Sequence, residues 1–541
     1  MPAAESAGPK WWGWGDPARR LDLSAGALAM LRDELGAAEP GERVSLEEVG
    51  MPEARPLPQS VIETVGRDAV LESREHRIRR SGGKSYPDLV RMRSGRLEAA
   101  PDAVMMPADA RQAAALLEAC SRERVAVVPF GGGTSVVGGV DPYAGPHARV
   151  VAVDLRRMRD VAVDRVSMTA TLGPGLRGPE SEAALGAQGL TIGHFPQSFE
   201  YATIGGFAAT RSAGQASAGY GRFDELVTSI ALTTPSGELR TLATPHTAAG
   251  PSLRELVVGS EGTLGLITEV TVRVREAPER RRYEGWMAAD FASGCDLVRS
   301  LAQAGALGDV TRLSDESETR VSLALSRTTG TRRAAFEAYL RLRRRRGGCL
   351  MICGWEGDGE SVDRRRSISA RLLRKGGAAA LGEAPGRAWE RGRFEGPYLR
   401  DELMDLGYLV ETLETAHTWS RLGELYSAVG AALDRAMNSQ GSPGIVLCHL
   451  SHAYRDGASL YYTFICPRRP GDEIEHWRAL KAAACEAIVA TGATITHHHA
   501  VGRDHAPYMT AEVGPLGVDT LRALKERLDP AGIMNPGKLL P

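Results

Sequence analysis

A run of three histidines, His497, His498 and His499 in ITHHHAVGRDH, is the segment of this chain best suited to moving protons. Imidazole titrates near neutral pH and both donates and accepts hydrogen bonds. On an extended strand successive side chains alternate, so at most two of the three would share a face. Asp504 and His505 follow at no standard metal-ligand spacing, and no metal site is expected. The run therefore reads either as a proton-handling or substrate-orienting group or as a partly buried polar cluster. A second source of acid–base chemistry is GASLYYTFICP, where alternation puts Tyr461 and Thr463 on one side and Tyr462 and Phe464 on the other. Arg312 in VTRLSDES and Arg400 in PYLRDEL carry planar donors suited to a carboxylate or phosphate, although isolated arginines more often form surface ion pairs.

The glycines carry a different kind of chemistry. Gly is 62 of 541 residues, about 11% against a background near 7%, and three loops concentrate it. PFGGGTSVVGGV (Pro129–Val140) follows the apolar run VAVV; it lacks the Lys of a P-loop and the spacing of a dinucleotide fingerprint. PQSFEYATIGGFAATRSAGQASAGYGRFDELV spans Pro196–Val227 and is dense in small residues. GSEGTLGLIT (Gly259–Thr268) repeats glycine every three residues at Gly259, Gly262 and Gly265. One such loop is weak evidence. Three together suggest an extended cofactor held largely by main-chain N–H groups.

Positioning these groups requires an α+β framework. From Ala100 onward a strand, a helix over Asp109–Arg124 and the strand VAVVPF lead into the first loop, and β-branched runs such as ARVVAVDL and LGLITEVTVRVRE follow. This is not the alternation of a doubly wound sheet. Long helical patterns are expected at Thr331–Arg346, Ser361–Gly377, Arg400–Leu413, Ser420–Asn438 and Asp472–Thr491, separated by strands LMICGWEG, GIVLCHLSHAY and ASLYYTFICP. Residues before about 95 read as an extension with a Trp cluster (Trp11, Trp12, Trp14) expected to pack on the body of the protein. The formal net charge of −1 excludes bulk-electrostatic nucleic-acid binding. Seven cysteines in no disulfide or zinc spacing point to reduced thiols. The N-terminus shows no apolar signal core and the C-terminus no peroxisomal address, so a cytoplasmic protein is expected.

Taken together, GGGTSV, TIGGFAATRSAGQ with YGRFDELV, and GSEGTLGLIT resemble the FAD-binding type 4 flavoproteins, the vanillyl-alcohol oxidase and p-cresol methylhydroxylase (PCMH) type. Within them, WWGWGDP, SYPDLVRMRSG, TRLSD, YLRDELMDLGYLVETLETA, GASLYYTF and THHHAVG resemble the alkyldihydroxyacetonephosphate synthase family nearly end to end. The resemblance implies an N-terminal helical and loop extension (1–97), a two-subdomain PCMH-type FAD-binding domain (98–278), an α+β substrate-binding cap (279–504), and a C-terminal helical segment returning to the FAD domain (505–541). It places FAD against Pro129, Phe130, Gly131, Gly132, Gly133, Thr134 and Ser135. Further cofactor contacts are implied at Gln197, Ser198, Phe199, Glu200, Tyr201, Ala202, Thr203, Thr210, Arg211, Ser212 and Ala213. A last set comprises Glu261, Gly262, Thr263, Leu264, Gly265, Leu266 and Ile267. The first loop has no His, which implies non-covalent FAD.

In that family the acyl chain of acyl-dihydroxyacetone phosphate is exchanged for a fatty alcohol through a flavin N5 adduct, forming an ether lipid. The resemblance assigns proton handling to Tyr461 and to His497, His498 and His499, a further role in activity to Arg312, and substrate binding to Arg400. It implies a homodimer with possible peripheral membrane contact and no nucleic-acid partner. Three features depart from the animal enzymes: Gln197 replaces an Asp, His449 replaces an Arg, and DPAGIMNPGKLLP resembles bacterial 2-hydroxyacid oxidoreductases. An FAD-dependent D-2-hydroxyacid dehydrogenase or oxidase acting on lactate or glycolate is accordingly the alternative. A flavoprotein-like binding protein without turnover has no need of Tyr461, the His run and both arginines together.

Overall fold

The computed structural model describes residues 8–41, 43–325 and 330–541. Residues 1–7, part of the N-terminal stretch read for a signal, lie outside these. Asp109 caps the helix Ala110–Glu123 by accepting the Gln112 N–H, and this helix buries Leu116, Leu117 and Cys120. It connects strand Ala103–Met105 to strand Val125–Phe130, with Arg149–Asp154 paired parallel between them. Val70–Leu71 completes a four-stranded sheet by pairing antiparallel with Ala103–Met105. The chain's end returns to this sheet: Val127 N–H donates to Ile533 O at 2.8 Å and Asn535 N–H to Val127 O at 2.7 Å.

A second sheet, of five antiparallel strands, runs in the order Val161–Asp164, Thr169–Leu172, Leu266–Arg273, Val227–Thr234, Gly237–Arg240. Each of these two sheets has its own apolar core, and Leu266 belongs to the first although its strand lies in the second.

The third sheet is the largest. Seven antiparallel strands lie in the order Ala379–Gly382, Arg280–Ala288, Cys349–Gly357, Val310–Ser314, Ile445–Ala453, Gly457–Pro467, Tyr408–Thr418. Helices Phe291–Gln303, Gly359–Lys375, Trp419–Ser439 and Glu473–Ala490 bury their apolar stripes against one face. Leu460, Tyr462 and Phe464 point into that core and are fully buried. Strand alternation then turns Tyr461 and Thr463 to the opposite face. Cys349 and Cys353 are core strand residues, and the seven cysteines are all free thiols.

One expected helix is corrected. Arg400–Leu413 is helical only as part of Gly396–Asp405; from Tyr408 the chain is a strand. The break is Gly407, at φ +93, whose N–H closes the helix end on Met404 O at 3.1 Å. A Cβ there would overlap the Glu39 backbone, so only glycine fits. The Trp cluster packs on this helix: Trp11 and Trp14 are buried, and the Trp14 N–H donates to Asp401 Oδ2 at 2.6 Å. Among the described residues no helix is long and apolar enough to cross a membrane.

Candidate active site

The polar face of the seven-stranded sheet gathers Tyr461, His449 and the His497–His499 run. Register pairs Glu414 with Tyr461 and Tyr461 with His449 across three strands. The Tyr461 ring stacks on His449 at 4.8 Å and lies 5.3 Å from His499 and 6.1 Å from His498. Burial pushes the Tyr461 phenol up to about 12, against the opposing effects of Thr412 and Arg400. It is therefore protonated at neutral pH.

The His run is not a strand; it is a bend wrapped around one carboxylate. Glu414 accepts the backbone N–H groups of His497 (2.6 Å), His498 (2.8 Å) and His499 (2.7 Å), and the Thr496 hydroxyl at 2.7 Å. Three consecutive amides converging on one anion cannot form in an extended strand, so the alternation expected for this run does not apply. Glu414 is 1% exposed. Burial alone would raise its pKa, but the adjacent imidazoles of His498, His499 and His497 hold it well below the usual carboxylate range. Burial brings His497 down to about 3 and drives His499 and His452 well below their ordinary value, so these three imidazoles are neutral.

Three residues that sequence reasoning did not select complete this cluster. His452 stacks on His497 at 5.0 Å. Tyr454 hydrogen-bonds His497 Nε2 through its hydroxyl at 2.7 Å. Glu414 is the third. Ring nitrogens of His452, His497 and His498 lie within 4.8 Å of one another, close enough to hold a metal ion, a grouping that spacing along the chain did not show.

The two arginines differ in their surroundings. Arg312 pairs with Glu318, which also accepts from His449 Nδ1 at 2.9 Å. Burial would raise Glu318, but His449 and Arg312 overcome this and bring it down to about 2. Arg312 thus stands at the end of the Tyr461–His449 stack with its charge already paired. Arg400 donates through Nη1 to Lys84 O at 2.8 Å, while its buried Nε and Nη2 have no partner among the described residues.

The Gly-rich loops interlock beside this face. A Cβ at Gly131 would overlap Thr203 Oγ1, one at Gly132 the Tyr201 carbonyl, and one at Gly262 the Pro129 ring. Glycine is required here because loop lies on loop, a reason that ligand approach alone did not supply. The N–H groups of Gly131, Gly132, Gly133, Thr134 and Ser135 donate to no acceptor among the described residues, so the first loop offers a row of amides to an anion. Buried Ser260 Oγ, His194 Nδ1 and Asn535 Oδ1 likewise lack partners. This donor set suits a dinucleotide cofactor.

Several residues of the loops have side chains engaged elsewhere. Arg211 pairs with Asp224 at 3.3 Å and Glu255 at 3.1 Å, and Glu200 with Arg19 at 3.2 Å. Glu261 accepts the Val501 and Gly502 N–H groups at 2.8 and 2.7 Å. Ala202, Leu264, Leu266 and Ile267 are core residues, Thr203 caps helix Ile204–Ala209, Ser212 contacts His194 at 3.0 Å, and Phe199 stacks on Phe394 at 5.8 Å. At these positions only the main chain stays available to a cofactor.

Comparison with known proteins fits this picture. The family described as FAD binding domain matches residues 101–243, and that described as FAD linked oxidases, C-terminal domain, matches 277–539. The chain is 31% identical to an alkyldihydroxyacetonephosphate synthase of Dictyostelium discoideum, over 98% of this chain and 93% of that protein. A solved structure of an alkyldihydroxyacetonephosphate synthase superimposes with a TM-score of 0.84 at 28% identity, covering 98% of both chains. p-Cresol methylhydroxylase with substrate bound superimposes with a TM-score of 0.65 at 15% identity, over 89% of this chain and 95% of that one, and so shares the fold. The protein is an α+β flavoprotein of PCMH type, and its cofactor is FAD.

Proposed function

The chain belongs to the alkyldihydroxyacetonephosphate synthase family, and from that premise we propose that it exchanges the acyl chain of acyl-dihydroxyacetone phosphate for a fatty alcohol. The observation carrying this reading is the assembly of Tyr461, the His497–His499 run and the Glu414 anion on one face of the seven-stranded sheet. FAD, when bound, would supply an electrophilic N5 for the dihydroxyacetone carbon, and the first-loop amides of Gly131–Ser135 would hold its pyrophosphate.

The remaining steps fall to the protein's own residues. A neutral imidazole of the run takes the C1 proton, and Glu414 beneath it stabilises the imidazolium. Tyr461, protonated and half-buried, donates to the departing carboxylate oxygen. The C1–O bond to the acyl group breaks, the alcohol oxygen bonds to C1, its proton passes to the site, and the C1 proton returns. Fatty acid and ether are formed with no net electron transfer. Arg400, with two unpaired donors, binds the substrate's anionic group.

The test is acyl-dihydroxyacetone phosphate carrying a labelled acyl chain, incubated with hexadecanol and no electron acceptor. Hexadecanol-dependent release of labelled fatty acid is expected. No release, together with oxidation of lactate or glycolate at the expense of an added dye, would establish the 2-hydroxyacid alternative. Homodimerisation and peripheral membrane contact belong to the same proposal, and sedimentation and vesicle co-sedimentation read them.

A further inference from the structure

We propose that Lys84 is the second cation of the substrate-anion subsite, acting with Arg400 to hold a phosphate monoester dianion. This deepens the reading above and rests on it. Lys84 lies in GGKSYPDL, outside the Gly-rich loops and the His run, yet the fold brings it to the first of these loops and to Arg400. Its N–H donates to Ser135 O at 2.6 Å, at the end of the first loop, and its carbonyl accepts from Arg400 Nη1 at 2.8 Å. Gly83 makes this approach possible, since a Cβ there would overlap Ser135 O.

The charges around Lys84 are unbalanced. Its ammonium has one hydrogen bond, to Lys10 O at 3.4 Å, and no carboxylate within 4 Å among the described residues. Asp401, the nearby anion, is already claimed by Arg93 (3.3 Å), Lys10 (3.7 Å) and the Trp14 N–H (2.6 Å). Asp88 accepts from Gly83 N–H at 3.0 Å and lies 3.8 Å from Arg91, and Arg79 pairs with Glu75. Lys84 and Arg400, both half-buried, therefore have no ion-pair partner within 4 Å among the described residues, and part of each side chain stays open to a small ligand. Burial, assisted by Arg400, lowers the Lys84 ammonium to about 8 against the pull of Asp401.

Two uncompensated positive charges match a phosphate monoester dianion better than a single carboxylate. An arginine fork with two free nitrogens and a point-charge ammonium is a suitable donor set for it. The tryptophan-rich segment closes the site from outside. A Cβ at Gly13 would overlap Asp401 Oδ2 and one at Gly15 the Tyr398 hydroxyl, so WWGWGDP is moulded on the helix that carries Arg400.

The experiment compares FAD-loaded wild type, Lys84→Met and Lys84→Arg. With Lys84→Met, KM for acyl-dihydroxyacetone phosphate should rise about 10-fold or more, the size of one lost charge-assisted hydrogen bond, with kcat and bound FAD little changed. Glycerol 3-phosphate, titrated into the holoenzyme by calorimetry, should weaken by the same factor, glycolate should not, and Lys84→Arg should recover most of the loss. Unchanged glycerol 3-phosphate affinity overturns the proposal, and loss of FAD with that affinity intact assigns Lys84 to the cofactor instead. A wild type that binds glycerol 3-phosphate through Lys84 but exchanges no acyl chain keeps the subsite and sinks the reaction. Acyl exchange with Lys84-independent binding does the reverse.

Discussion

The loops beside the first two sheets and the polar face of the cap sheet use opposite means to build one site. In the loops the side chains are mostly absent or engaged elsewhere: Arg211 pairs with Asp224 and Glu255, while Gly131, Gly132 and Gly262 allow one loop to lie on another. The main chain of the first loop keeps its Gly131–Ser135 N–H groups free among the described residues. On the polar face of the seven-stranded sheet the strand backbone is spent in the ladder, and the polar groups are side chains: Arg312, Glu414, His449, His452 and Tyr461 from strands, joined by Tyr454, by Arg400 from a helix and by His497–His499 from a bend. A backbone-built site should fail when atoms are added, and a side-chain-built site when they are removed.

Tyr461→Phe is the largest expected loss on the side-chain half. Turnover should fall by about 10²–10⁴-fold, with FAD content unchanged by absorbance; a variant retaining wild-type turnover removes Tyr461 from the chemistry. Glu414→Ala should follow, because three amides, that of His497 buried, and a hydroxyl lose their acceptor. A stability loss of roughly 2–4 kcal/mol is expected in urea unfolding, together with a turnover loss that exceeds any loss of flavin. On the other half, Gly132→Ala should lower flavin occupancy and stability by about 1–3 kcal/mol, since the added methyl meets the Tyr201 carbonyl. Arg211→Met, which removes a whole charged group nearby, should leave flavin occupancy within about 2-fold of wild type, its exposed pairs being worth little. If Arg211→Met loses FAD and Gly132→Ala keeps it, the comparison is wrong.

The two halves also differ in how legible they are in the amino-acid sequence. Glycines cluster locally, so the three loops stand out as a group from residue order alone. The His run is equally plain, but its shape is not: the anion that bends it is 83 residues away for His497. Glu414 is hidden because YLRDELMDLGYLV continues a helical period across Gly407, whose left-handed backbone in fact ends the helix. His452 and Tyr454 belong to the chain that neighbours the Tyr461 strand, and only sheet register brings them to His497. Arg312 and Arg400 are marked by resemblance alone, because only three dimensions show that the first is paired with Glu318 and that the second keeps two nitrogens free.

A smaller, pH-dependent effect sharpens the same contrast. His497, His194 and His505 are buried neutral, each brought down to about 3 from 6.5. Their unfolded forms take up protons below about 6.5 while the folded forms do not, so their contribution is complete above that pH and is lost as pH falls toward 3. Buried Glu261 and Asp504, raised to about 7, and Asp315, raised to about 6, act in the opposite sense, so the wild-type slope is a balance of the two sets. His505→Asn should lose less of its urea midpoint than the wild type between pH 6.5 and 4, and an unchanged difference between the two over this range would contradict the buried, neutral state of His505.

The central claim is that this site exchanges an acyl group for an alkyl group and passes no electrons onward. It is tested most directly by the stoichiometry of anaerobic turnover on acyl-dihydroxyacetone phosphate and hexadecanol with an electron-accepting dye present. The expected result is one alkyl ether formed for each fatty acid released, with the dye left oxidised. Dye reduced in step with product, or no ether at all, would contradict it.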